Sequence, residues 1–173
     1  MRLFGDQGFA ATSIAQIESA AGLSPGSGGL YKHFASKDEL LSAGIRERIE
    51  DRGELLPTMA APLPPEQLLR AIAEQGLDRL EDERDLNHIL VRDLAQRPEL
   101  LEYFRVNELG VTHAALTSVL TLLKEEDPEA IAAILIDATS HYWLMVDLYG
   151  GTHPTGITRE RYLTALARLG APS

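Results

Sequence analysis

The sequence contains no cysteine, one tryptophan and three methionines in 173 residues. Without cysteine there is no disulfide, no thiolate zinc site and no cysteine nucleophile, and either redox compartment suits such a chain. Nine prolines and fourteen glycines are too few for a disordered or collagen-like chain, and no repeat period is visible. Long apolar runs are also missing. The most apolar stretch, Ala130 to Ala138, is about half the length that spans a bilayer, and it contains Asp137. Met1-Arg2-Leu3-Phe4-Gly5-Asp6 brings in an acid before any apolar stretch, unlike a signal peptide. These absences lead us to expect a cytoplasmic protein with no membrane partner.

Basic residues are in deficit as well: 16 Lys and Arg against 26 Asp and Glu give a net charge of −10. Taken as a whole, that balance argues against nucleic acid. Its distribution does not. Residues 1–37 carry Arg2, Lys32 and Lys37 against Asp6 and Glu18, a net +1, which leaves −11 for the remainder. A near-neutral head on an acidic body suits a protein that meets phosphates at one end only, with the body repelling the duplex and favouring one docking orientation. A merely solubilising acidic surface reads the same way.

Helical spacing fills what is present. After a break at Gly8, Thr12 or Ser13 can cap a helix carrying Ile14, Ile17 and Ala21, which Gly22 ends. A turn containing Ser24, Pro25 and Gly26 leads into a short helix with Leu30 and Phe34 four residues apart. Ser36 and Glu39 form a capping box before a helix repeating Leu41, Ile45 and Ile49, which ends around Gly53 to Pro57. Pro62-Leu63-Pro64-Pro65 forbids continuation. Beyond it the pattern predicts helices over about 66–81 and 85–95, and a long one from Pro98 to about Lys124. Another runs from about Pro128 to Tyr149, and a last one carries Tyr162, Leu163, Leu166 and Leu169. The helix from Pro128 is apolar nearly all round, so it must be covered on every side, and a second copy of the chain is the expected cover. The expected class is all-α: an N-terminal helix-turn-helix head and a C-terminal helical bundle.

The stretch from Gly8 to Leu41 is the most informative. Two short helices joined by a glycine-containing turn make a helix-turn-helix, in which the first braces on the DNA backbone and the second reads the major groove. The second helix is apolar inward at Leu30 and Phe34 and polar outward at Lys32 and His33, and its N-terminus offers backbone N–H groups to a phosphate.

The strings Gly8-Phe9, Thr12-Ser13-Ile14, Ala20-Ala21-Gly22-Leu23-Ser24, Leu30-Tyr31-Lys32-His33-Phe34 and Ser36-Lys37-Asp38-Glu39-Leu40-Leu41 resemble the head of the tetracycline-repressor (TetR) family. The resemblance covers roughly the first quarter of the chain. It implies a ligand-responsive regulator, in the family's usual form a repressor: a homodimer that binds a palindromic operator and releases it when a small molecule enters the body. It further implies that Thr12 caps the second helix and contacts phosphate, and that Tyr31 and Lys37 also contact the DNA backbone. Lys32, His33 and the segment Ser24, Pro25, Gly26, Ser27, Gly28 and Gly29 would face bases. That chemistry is consistent, since hydroxyl and ammonium groups bind phosphate oxygens and Lys or His can read guanine acceptors.

Two features depart from the family pattern. The Pro25–Gly29 run is about two residues longer than usual, and its three glycines disfavour helix by roughly 1 kcal/mol each if they lie inside one. The family's first helix also normally begins some ten residues earlier, so a shortened first helix is expected here. The sequence thus divides into a head at 1–43 and an effector-binding, dimerising body at 44–173, with dimerisation through the last two helices.

Other motifs lead elsewhere. Gly22-Leu23-Ser24-Pro25-Gly26 fits the G-x-S-x-G nucleophile pattern but lacks the preceding strand, and Gly26, Gly28 and Gly29 lack the spacing of a dinucleotide loop. No catalytic residue and no cofactor are expected. Asp85 with His88, and Asp137 with His141, share helix faces but lack the further glutamates of a di-iron bundle, so no metal site is expected. Candidates for the effector pocket are His88, Arg92, Tyr103, Phe104, Asn107, His113, His141, Tyr142 and Met145, with Arg92 suiting an anionic ligand if it points inward. The alternative is a dimeric small-molecule-binding bundle that has lost DNA binding.

Overall fold

A computed structural model describes residues 1–51, 53–56 and 62–171, and among these the chain contains helices and turns and no strand. The all-α expectation therefore holds. Packing divides the chain into two compact units: Met1–Arg52 with Glu83–Glu108, and Gly53–Asp82 with Leu109–Ser173. The packing thus groups residues 83–108 with the head, whereas the sequence division placed them in the body. The functional boundary after residue 43 is a separate matter and stands as a proposal.

The first unit holds α1 (Arg2–Ala11), α2 (Ile14–Ala20), α3 (Lys37–Glu50), α5 (Arg84–Asp93) and α6 (Pro98–Phe104). The period-four repeat of α3 lies inward: Leu41, Ile45 and Ile49 are buried with Phe4, Leu86, Ile89, Leu94 and Leu100. Burying an aliphatic chain of this size contributes about 1.5–3 kcal/mol, so α3 and α5 are the spine of this unit.

Helix α1 crosses α5 so closely that a Cβ on Gly5 would lie 2.7 Å from the Asp85 Cα. It then kinks at Gly8, whose φ of +86° is open to glycine and strained for other residues. The kink is held from α5. Arg92 donates to the carbonyls of Phe4 (2.6 Å) and Gly5 (2.9 Å), and the Phe9 N–H donates to Asp93 (3.4 Å). The Arg97 guanidinium covers the Phe9 ring at 4.0 Å and pairs with Asp38 at 3.0 Å.

Capping at α2 falls to Ser13. Its hydroxyl accepts from the Gln16 N–H, and the Gln16 side chain accepts from the Ser13 N–H (2.7 Å), a complete capping box. Helix α2 ends in a Schellman motif, with the Leu23 N–H on the Glu18 carbonyl, the Gly22 N–H on the Ser19 carbonyl and Gly22 at φ +72°. At α3, Ser36 accepts from the Glu39 N–H as expected, but the Glu39 carboxylate accepts from the Ala35 N–H rather than from that of Ser36. The helix stops at Glu50, and Pro57, named as its far limit, lies outside the described residues.

The second unit packs α4 (Pro65–Asp82), α7 (Gly110–Leu122), α8 (Pro128–Leu148) and α9 (Arg159–Gly170). Its core includes Leu69, Leu77, Leu116, Leu120, Leu135, Trp143, Leu163 and Leu166. The long helix expected from Pro98 to Lys124 is interrupted, because Arg105–Leu109 winds as a wider π turn between α6 and α7. Gly110 and β-branched Val111 and Thr112 follow at once, which are weak helix formers at that point. The border between the two packing units falls within the same turn.

Helix α8 is the one helix among the described residues long and apolar enough to cross a membrane by length and composition. Within this chain it leaves Ile134 and Leu148 exposed, together with the adjoining Tyr149.

Candidate nucleic-acid interface

The expected recognition helix is much shorter than its apolar spacing suggested. Leu30–Lys32 forms a single 3₁₀ turn, extended by the His33 and Phe34 N–H groups, which both donate to the Leu30 carbonyl. Only five residues separate Gly29 from Ala35, fewer than the first turns of a stable α-helix require, and the preceding glycines cannot extend it backward at low cost.

The base-facing candidates nevertheless form one exposed stretch. Ser24, Pro25, Gly26 and Ser27 are exposed, Gly28 and Gly29 are half-buried, and Tyr31, Lys32 and His33 are exposed. Tyr31 is 56% exposed despite its size, so its ring does not close the head's core. Leu30 and Phe34 face inward only in part. The arrangement offers a hydroxyl, an ammonium and an imidazole from consecutive residues.

Two of the residues expected to contact phosphate are instead engaged by the chain's own carbonyls. Thr12 is 1% exposed, and its hydroxyl donates to the Gly8 carbonyl (2.7 Å) and reaches the Leu3 carbonyl (3.1 Å). It braces the kink in α1, and Ser13 takes the cap. Lys37 is half-buried, and its ammonium donates to the carbonyls of Phe9 (2.8 Å) and Thr12 (2.7 Å) while lying 4.2 Å from the centre of the Phe9 ring. A cation on the last carbonyls of a helix satisfies groups that otherwise need water. Of the three cations in residues 1–37, Lys37 is therefore turned toward protein, and Lys32 is the one on the base-facing stretch.

The backbone N–H groups expected to await a phosphate are also engaged. The Tyr31 N–H donates to the Gly28 carbonyl and the Lys32 N–H to the Gly29 carbonyl. Those of Gly26 and Leu30 point at the carboxyl group of Glu18, a wholly buried residue of α2 that the sequence reading counted only as charge. The signal that could have found it was an acid four residues before a C-capping glycine, where the helix face turns inward.

The nine effector-pocket candidates do not form one cluster within either unit. His88, Arg92, Tyr103, Phe104 and Asn107 belong to the first unit, and His113, His141, Tyr142 and Met145 to the second. Arg92 holds the α1 carbonyls, which removes the reason to assign it an anionic ligand. The Tyr103 hydroxyl donates to Glu50 under the Arg46 guanidinium, and burial followed by that bond raises its pKa. Phe104 packs on the first core, Asn107 donates to the Tyr103 carbonyl, and the His113 ring meets the Glu129 carbonyl. His141 is exposed.

Tyr142 stacks on both Tyr162 (4.0 Å) and His153 (5.2 Å), and its hydroxyl donates to the Ile157 carbonyl. Burial raises the pKa of both tyrosines. Sequence spacing missed this aromatic stack because His153 lies in a loop, outside any helical period.

Residues 1–43 match the family described as bacterial regulatory proteins, tetR family. The chain is also 29% identical over 109 residues to an uncharacterised helix-turn-helix transcriptional regulator, YerO, of Bacillus subtilis. That alignment takes in 60% of this chain and 37% of the relative, so it spans well under two thirds of the relative's length.

Proposed function

We propose that the chain, whose residues 1–43 match the tetR family of bacterial regulatory proteins, is a regulator of that family that binds DNA sequence-specifically. It acts as a repressor, binding palindromic operator DNA as a cytoplasmic homodimer and leaving it when a small molecule binds. The observation that carries this reading is the family-matched head, whose exposed stretch from Ser24 to His33 presents Tyr31, Lys32 and His33 together. In this reading Tyr31 contacts phosphate, and Lys32, His33 and the Ser24–Gly29 loop meet bases.

Dimerisation is assigned to α8 and α9. Exposed Ile134 and Leu148 lie on α8 and exposed Leu169 on α9, and a second copy would cover them. Asp137, Ser140 and His141 are exposed between the apolar positions of α8, a pattern that suits a protein interface better than hydrocarbon, where a central charge is costly. The effector shifts the equilibrium between two spacings of the heads, so ligand and DNA compete through shape.

The test is selection of bound duplexes from random-sequence DNA with the full chain. An inverted repeat with half-sites about 34 Å apart supports the proposal. No enriched motif, together with a dimer that still binds small molecules, would favour a ligand-binding bundle that has lost DNA binding.

A further inference from the structure

Glu18 is an acid with 0% of its surface exposed, and the proposed DNA chemistry does not use it. One carboxyl oxygen accepts from the Gly26 N–H at 2.6 Å, and the other lies 3.5 Å from the Leu30 N. A buried acid is stable only where donors meet it, so these contacts explain its presence. They also do something to the loop.

Ser24–Ser27 closes a turn through the Ser27 N–H on the Ser24 carbonyl, with Pro25 second and Gly26 third at φ +75°. This is the form of a type II turn. Relative to type I, the peptide joining Pro25 to Gly26 is flipped, so the Gly26 N–H points away from the turn and needs a partner elsewhere. Glu18 is that partner. The loop's other bonds are internal: Ser27 to Ser24, and the Gly29 N–H to the Ser27 hydroxyl. With three glycines in six residues, such a loop has many conformations of similar energy. The 3₁₀ turn bearing Tyr31 and Lys32 starts on the carbonyls of Gly28 and Gly29, so whatever fixes the loop fixes that turn.

We propose that Glu18 is a positioning residue that fixes the form of the Ser24–Gly29 loop, and through it the place from which Tyr31, Lys32 and His33 are offered to DNA. The proposal rests on the DNA-binding reading above. It makes the buried face of α2 part of sequence recognition, through the turn it selects rather than through contact with a base.

The experiment compares Glu18→Ala and Glu18→Gln in the full chain by Gly26 amide exchange without DNA and by affinity for a selected duplex. Glutamine keeps an accepting oxygen for Gly26, whereas alanine removes it. Glu18→Ala is expected to speed Gly26 exchange and weaken binding to the selected site by about tenfold or more, with Glu18→Gln within about threefold of the parent in both. A folded Glu18→Ala chain that binds its selected site as tightly as the parent overturns the proposal.

A second pair covers the case in which Glu18→Ala does not fold. A Cβ at Gly26 would meet no protein atom within 4 Å, so in the free chain substitution there acts through the backbone, and comparing two variants that both add a side chain to the base-facing loop isolates that effect. Gly26→Val is expected to lose site affinity and Gly26→Asn, which tolerates positive φ, to keep it. Equal affinity of these two variants contradicts the proposal. A parent chain that selects no sequence overturns the DNA reading itself, whereas a parent that selects a site unaffected by either pair overturns only the role of Glu18.

Discussion

The Lys37 ammonium donates to the carbonyl of Phe9 at 2.8 Å and lies 4.2 Å from the centre of that residue's ring, so one side chain ties the start of α3 to the end of α1. A lysine bound in this way contributes to the head's stability and little to its attraction for phosphate. Lys37→Met is expected to lower unfolding free energy by about 1.5–3 kcal/mol, the range for bonds to a charged group. The salt dependence of DNA binding should stay unchanged. Chemical denaturation and a salt titration of affinity read the two effects separately.

Lys32 is expected to behave oppositely. It is exposed on the base-facing stretch, so Lys32→Ala should leave stability within about 0.5 kcal/mol of the parent. It should weaken DNA binding and, if the ammonium meets phosphate, reduce the slope of log K against log salt by about 1 per site. A parent slope as steep as that of a heavily basic protein would contradict this reading, because the head offers few free cations.

Gly8 combines a φ of +86° with a Cβ position 2.9 Å from the Arg92 Nε. Gly8→Ala strains the backbone and pushes on the guanidinium that holds the Phe4 and Gly5 carbonyls. A loss of about 1–3 kcal/mol is expected in denaturant unfolding, while Gly53→Ala, at a position with nothing within 4 Å, should be nearly silent.

The stacked tyrosines of the second unit give an alkaline signature. Burial holds the Tyr142 and Tyr162 hydroxyls neutral above the pH at which free tyrosine ionises, about 10. Groups whose pKa rises on folding contribute stability that is present below the unfolded pKa and lost as pH climbs through the folded one. Thermal stability should therefore fall above about pH 10 as tyrosinate absorbance grows. Tyr162→Phe should remove part of that fall.

The fold was legible because its helices carry strong apolar periods: Leu41, Ile45 and Ile49 on α3 are all buried as the spacing implied. The strings from Gly8 to Leu41 likewise pointed to the family that the comparison matched over residues 1–43. What was not legible is where polar side chains turn. Thr12, Lys37 and Arg92 have the chemistry of phosphate or anion contacts, yet each is directed at the carbonyls around the kink in α1. Those carbonyls are open to side chains because Gly8 kinks the helix and Thr12 ends it, and the choice between protein and ligand acceptors is set by tertiary geometry. Glu18 was missed for the converse reason: its donors lie eight and twelve residues along the chain, beyond any helical spacing.

The most direct test of the account is the affinity of the full chain, at one fixed salt concentration, for its best selected palindrome and for the same duplex scrambled. Binding to the palindrome tighter by about 10³ or more, and weakened by His33→Ala far more than scrambled-duplex binding is, is the expected result. Equal affinity for the two duplexes, or no binding to either, would contradict it.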